Sequence, residues 1–155
     1  PRRGETFVNK KIVNALCKIS LGKQNRLFLG NLNAKRDWGH AKDYIEAIWK
    51  VLQYKKADDF VIATGKQYSV KEFINLAAQE LNMKIIWRGK GINEKGYDKK
   101  GKIIIECKKK YFRPLDVQSL LGDSSKAKKL LKWKPKYNIK LLVQEMVSEE
   151  LKNLK

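Results

Sequence analysis

The chain has 155 residues, 43% of them hydrophobic and 33% charged, with a formal net charge of +19. That balance belongs to a globular chain with one compact domain and excludes a disordered tail, and no apolar run reaches the roughly 20 residues that cross a bilayer. Cys17 and Cys107, without CxxC spacing or a neighbouring Cys/His cluster, exclude a zinc site and a disulfide framework and read as buried thiols in a reducing compartment.

The charge raises nucleic acid or an anionic membrane as partners. The excess is mostly lysine spread over every predicted element, not gathered on one face with aromatic platforms, so no nucleic acid and no membrane is expected as a partner. The densest run, Lys108-Lys109-Lys110 ahead of Tyr111-Phe112-Arg113, borders a candidate anion site. The opening Pro1-Arg2-Arg3-Gly4-Glu5 lacks the apolar core of a secretory leader, and a cytoplasmic location is expected.

Along the chain, Ile12, Val13, Leu16 and Ile19 recur at helical steps, and Gly22 supplies a helix stop. Residues 26–29 predict a short strand ending at Gly30. Residues 40–54 predict a helix that turns Ala41, Tyr44, Ile45, Ile48, Trp49 and Leu52 to a core. Residues 60–63 predict a buried strand, and Ser69 with Glu72 forms a capping box ahead of Phe73, Ile74, Leu76, Ala77 and Leu81.

A strand over 84–87 follows, then an irregular, solvated segment over 89–102, then a β-prone run over 103–105. Ser124 and Ser125 introduce a short helix stopped by Trp133-Lys134-Pro135, and residues 139–154 predict the last amphipathic helix. The fold class is therefore α/β, with few strands and irregular connections, as expected of the end of a larger domain.

Gly89-Lys90-Gly91 imitates the start of a dinucleotide fingerprint, but Glu94 stands where the third glycine belongs and no helix follows. His40, the single histidine, reads as a hydrogen-bonded structural residue at a helix start and not as a catalytic base. None of Tyr44, Tyr54, Tyr68, Tyr97, Tyr111 and Tyr137 is followed by lysine at the fourth position, so a Tyr-xxx-Lys acid/base pair is missing. No catalytic residue and no metal ligand is assigned.

Three clusters carry a resemblance. Pro1-Arg2-Arg3-Gly4-Glu5-Thr6-Phe7-Val8 with Lys11-Ile12, the run Leu29-Gly30-Asn31-Leu32-Asn33-Ala34-Lys35-Arg36-Asp37-Trp38-Gly39-His40-Ala41-Lys42-Asp43-Tyr44, and Tyr111-Phe112-Arg113-Pro114 with Leu121-Gly122-Asp123 are together similar to the GDP-mannose 4,6-dehydratases. Ser125-Lys126-Ala127 and Trp133-Lys134-Pro135 are shared more widely among extended short-chain dehydrogenase/reductases. The resemblance covers nearly the whole chain and is weakest over 89–110.

It implies an enzyme, a lyase, that oxidises C4 of GDP-mannose with bound NADP, eliminates water across C5 and C6 and returns the hydride to C6. It also implies that the Rossmann half with the catalytic residues lies ahead of Pro1. Residues 1–155 are then expected to be a truncated C-terminal substrate-binding portion of an extended short-chain dehydrogenase/reductase fold, inactive alone, with segments that pack on the missing Rossmann domain. The family's assemblies imply a homo-oligomer, a dimer or tetramer, when the protein is full length.

GDP-mannose carries a diphosphate, and Arg36 and Arg113 are two of only six arginines in a chain that otherwise uses lysine. A guanidinium fork pairs bidentately with phosphate oxygens where lysine offers a point charge. Arg36 and Arg113 are expected to clamp the diphosphate or ribose, with Asp116, at a position where the family also uses Glu, accepting from ribose hydroxyls. By similarity Arg3 reaches the NADP, Thr6, Val8 and Lys11 lie along the GDP-sugar cleft, and Gly30 allows close backbone approach to the nucleotide. A related nucleotide-sugar epimerase or dehydratase, and a stand-alone basic nucleic-acid-binding module, stay open as alternatives.

Overall fold

In the computed structural model, residues 1–112, 117 and 119–154 are described. Helix α1 (Val8–Ser20) buries Ile12, Val13, Leu16 and Cys17. It ends where the repeat ends: the Gly22 N–H reaches the Ile19 carbonyl and the Lys23 N–H reaches the Lys18 carbonyl, while Gly22 takes the left-handed φ of +70° that this closure needs. Strand β1 (Leu27–Leu29) follows and leads to β2 (Lys35–Arg36).

Helix α3 (Val70–Glu80) starts at the predicted capping box, with the Ser69 hydroxyl accepting from the Glu72 N–H and the Glu72 carboxylate accepting from the Ser69 N–H. Strand β3 (Tyr68–Ser69) pairs antiparallel with β2 just ahead of it. The last helix, α5 (Ile139–Leu154), presents Leu142, Val143, Met146, Val147 and Glu150 to α1 and α3. Together α1, α3 and α5 build the main core, with Phe73, Ile74 and Ile105 fully enclosed.

That core rests on a four-stranded sheet ordered β1, β6 (Ile103–Cys107), β5 (Lys95–Tyr97), β4 (Ile86–Arg88). The β1–β6 pair is parallel and the other two pairs are antiparallel. The solvated segment expected over 89–102 is corrected here: it contains β5, which lies inside the sheet. Gly96 and Glu94 are buried, and the Glu94 carboxylate pairs with Lys71 of α3. Lys95, Gly96 and Tyr97 are too few to show an alternating pattern, and the pairing is set by β4 and β6 on either side.

A smaller cluster gathers Ala47, Ala127, Leu131 and Trp133 between α2 (Ala41–Leu52) and α4 (Ser125–Leu130). Asp43, buried in α2, accepts from the backbone N–H groups of Lys136 and Tyr137, while its own carbonyl accepts from the Trp133 indole. The core-facing expectation for α2 fails: Ile45, Ile48, Trp49 and Leu52 are 66, 54, 63 and 72% exposed, and the buried face is Asp43 and Ala47. Residues 60–63, expected as a buried strand, belong to no strand, and nothing among the described residues pairs with them.

Candidate functional site

Six of the eight residues singled out for binding line one cleft of about 540 Å³, a size suited to a small-molecule ligand: Arg3, Thr6, Val8, Lys11, Gly30 and Arg36. They come from the loop before α1, the first turns of α1, the end of β1, and β2. The other two, Arg113 and Asp116, lie outside the described residues. The cleft floor adds Leu29, Ala34, Trp38 and Val70.

One end of the cleft is the start of α1. No side chain caps that N-terminus, and Val8 and Asn9 of its first turn line the cleft. Unsatisfied N–H groups at the positive end of a helix favour a negatively charged ligand. Lys11, one turn on, holds its ammonium 4.0 Å from the centre of the Tyr111 ring. Arg36 is half-buried, and its Nη1 donates to the carbonyls of Lys35 and Val117 at 2.8 and 2.6 Å, so the guanidinium is tethered at the cleft wall.

Gly30 lines the cleft and also meets the backbone of a distant segment. A Cβ built there would lie 2.2 Å from the Tyr111 carbonyl oxygen, so the missing side chain admits the 111–112 backbone against the end of β1. Asp37, beside Arg36, accepts from the Thr64 N–H and hydroxyl and from the Gly65 N–H, at 3.2, 2.7 and 2.9 Å. It ties the cleft wall to the 64–65 turn. Tyr111 and Asp37 were both missed as site residues. The run of three lysines before Tyr111 was the available signal for the first, and nothing local in the sequence signals the second.

A second cavity of about 820 Å³ meets the first at Arg3, Phe7, Asp37 and Trp38 and runs past Tyr44 to Leu142 and Glu145. On its wall His40 is buried, its Nδ1 accepts from the Lys42 N–H, and its Nε2 donates to Glu145 at 2.8 Å. The hydrogen bond from His40 holds the Glu145 carboxyl below the usual range. A ring so engaged caps α2 and fastens it to α5, in line with the structural reading of His40. Burial first, and then the Asp37 carboxylate, push the Tyr44 phenol upward. Among the described residues no three His, Cys, Asp or Glu side chains cluster as a metal site.

The sequence model of the GDP-mannose 4,6-dehydratase family matches residues 1–146. The chain belongs to that family. GDP-mannose 4,6-dehydratase 2 of Caenorhabditis elegans is 51% identical over 97% of the chain, and the GDP-mannose 4,6-dehydratase of Dictyostelium discoideum is 49% identical over all of it. The chain spans 40% and 44% of those two proteins, so it accounts for less than half of a family member of that length.

Two solved structures share the fold. RMD from Pseudomonas aeruginosa, complexed with NADPH, superposes with a TM-score of 0.79 at 19% identity, covering 99% of this chain and 45% of that one. The dTDP-glucose 4,6-dehydratase of Bacillus anthracis, in complex with NAD, gives 0.74 at 22% identity, covering 99% and 42%. The α/β arrangement of this dehydratase-family chain is thus that of nucleotide-sugar dehydratases and epimerases, over about two-fifths of their length.

Proposed function

We propose that the chain is the C-terminal, substrate-binding portion of an NADP-dependent GDP-mannose 4,6-dehydratase, a lyase that converts GDP-mannose to GDP-4-keto-6-deoxymannose. The observation that carries this reading is the convergence of Arg3, Thr6, Val8, Lys11, Gly30 and Arg36 on one cleft that opens onto an uncapped helix N-terminus. Arg36, Lys11 and the first N–H groups of α1 are the groups that hold the diphosphate, with Arg113 and Asp116 completing the clamp on diphosphate and ribose. Thr6 and Val8 line the path of the sugar.

Arg3 fits a phosphate-bearing cofactor. Its guanidinium lies 4.1 Å from the centre of the Phe7 ring, where the two cavities meet, and it has no carboxylate partner among the described residues. The chemistry NADP supplies when bound is reversible hydride transfer. This chain's contribution is to fix the GDP-sugar against it, and the chain alone is inactive because its sequence carries no Tyr-xxx-Lys acid/base pair.

The exposed face of α2 and the unpaired segment 60–63 are the parts that pack on the remaining half of the protein, and a dimer or tetramer of the complete protein belongs to the same proposal. A cytoplasmic site of action fits two free buried thiols. Among the described residues no helix is long and apolar enough to cross a membrane.

The test is the product formed when the complete gene product is incubated with GDP-mannose and NADP and the sugar is read by NMR. Appearance of the 4-keto-6-deoxy sugar supports the dehydratase. A GDP-hexose epimerised at one carbon, with C6 still hydroxylated, contradicts it and favours the epimerase alternative.

A further inference from the structure

Tyr111 stands at the rim of the cleft with two cations on one ring. The Lys11 ammonium is 4.0 Å and the Lys110 ammonium 4.9 Å from the ring centre. Lys11 has no carboxylate partner among the described residues, so the ring is the group that holds it. The seat of the ring is built: the Tyr111 N–H donates to the Lys108 carbonyl at 3.0 Å, and the Tyr111 carbonyl lies against Gly30, where any side chain would collide with it.

The two ammonium groups share one ring, and a cation–π contact satisfies each of them only weakly. An anion with several oxygens in the cleft would satisfy Lys11, which lines it, whereas Lys110 lines a separate pocket with Lys108 and Lys109. Lysine is a long, flexible point charge that loses rotamer freedom when it binds, and a ring that restrains it beforehand lowers that cost.

We propose that Tyr111 is a positioning residue for phosphate recognition, holding Lys11 so that its ammonium faces the diphosphate of the bound nucleotide sugar. The inference rests on the reading of the cleft as a GDP-sugar site, and it assigns the work to the ring face and not to the hydroxyl. Tyr111 is 39% exposed, so its replacement leaves the core intact.

The experiment is calorimetric titration of the complete gene product with GDP and, separately, with guanosine. Tyr111→Leu is expected to weaken GDP binding about fivefold while Tyr111→Phe stays within about twofold of wild type. Guanosine, which lacks phosphates, is expected to bind all three proteins alike, a result that a general loosening of the cleft would not give. In a Lys11→Met background the Tyr111→Leu effect is expected to disappear.

Unchanged GDP affinity in Tyr111→Leu, or an equal loss for guanosine, overturns the proposal. Failure of the wild-type protein to bind GDP overturns the cleft reading itself and this inference with it. The two failures are thereby distinguished.

Discussion

At the N-terminus of α3, Ser69 and Glu72 exchange hydrogen bonds across the first turn, and Ser69→Ala is expected to cost about 1 kcal/mol in a urea melt. The Glu72 carboxyl sits below its ordinary value of 4.5, chiefly because the Ser69 N–H and then its hydroxyl donate to it. A depressed carboxyl stabilises the fold above its unfolded-state pKa and loses that contribution as pH falls through the folded value. The stability gap between wild type and Glu72→Gln should therefore close on going from about pH 6 to about pH 3, and a constant gap would contradict the cap.

Gly30→Ala is expected to destabilise by about 1 to 3 kcal/mol, since its new methyl must displace the Tyr111 carbonyl. The capping box and the Gly22 stop were legible in the sequence because each is a local bargain between neighbouring backbone groups. The role of Gly30 was not, because its partner lies about eighty residues further along the chain. The same holds for Asp37, whose partners are at 64 and 65.

Among the elements, α1, α3 and α5 were readable from their apolar repeats because one face of each meets the same core. What fixes α1 against α5 was not readable: Lys10 and Glu150 form a buried ion pair, and Glu150 also accepts from Asn14 at 2.9 Å. Lys10→Met leaves an uncompensated buried carboxylate and is expected to cost about 3 to 5 kcal/mol, whereas Lys10→Met with Glu150→Leu is expected to cost much less. Thermal melts of the single and double variants decide between this and a merely additive pair.

Helix α2 shows the opposite failure. Its repeat was read correctly as amphipathic, but Ile45, Ile48, Trp49 and Leu52 face outward, and the buried side carries Asp43 and Ala47. An apolar stripe specifies that something covers it without specifying what. The same reason leaves 60–63 without a partner strand among the described residues. With the stripe uncovered in this chain, Trp49→Lys is expected to raise the solubility of residues 1–155 without lowering their melting temperature, and to lower that of the complete protein. Equal melting temperatures in the complete protein would show that the stripe is not a packing face.

On the scale of the whole molecule, the family was legible from three motif clusters, and most of the cleft lining from the resemblance they carry, with Arg36 alone marked by the scarcity of arginine in a lysine-rich chain. The position of β5 in the sheet was not, since three residues set between Glu94 and Asp98 acquire strand geometry only from the strands beside them. The net charge of +19 is shared between a cleft that collects Arg3, Lys11 and Arg36 and a general lysine coat. In the proposed function the cleft cations meet the ligand, while a high net charge of the coat favours solubility.

The central claim, that this cleft holds the diphosphate of a GDP-sugar, is tested most directly by titrating GDP-mannose into the complete gene product and its Arg36→Ala variant, with Arg26→Ala as a control outside the cleft. The account predicts that wild type and Arg26→Ala bind alike and that Arg36→Ala binds at least about tenfold more weakly, the loss of one charge-assisted contact to phosphate. Equal affinity in all three proteins would contradict it.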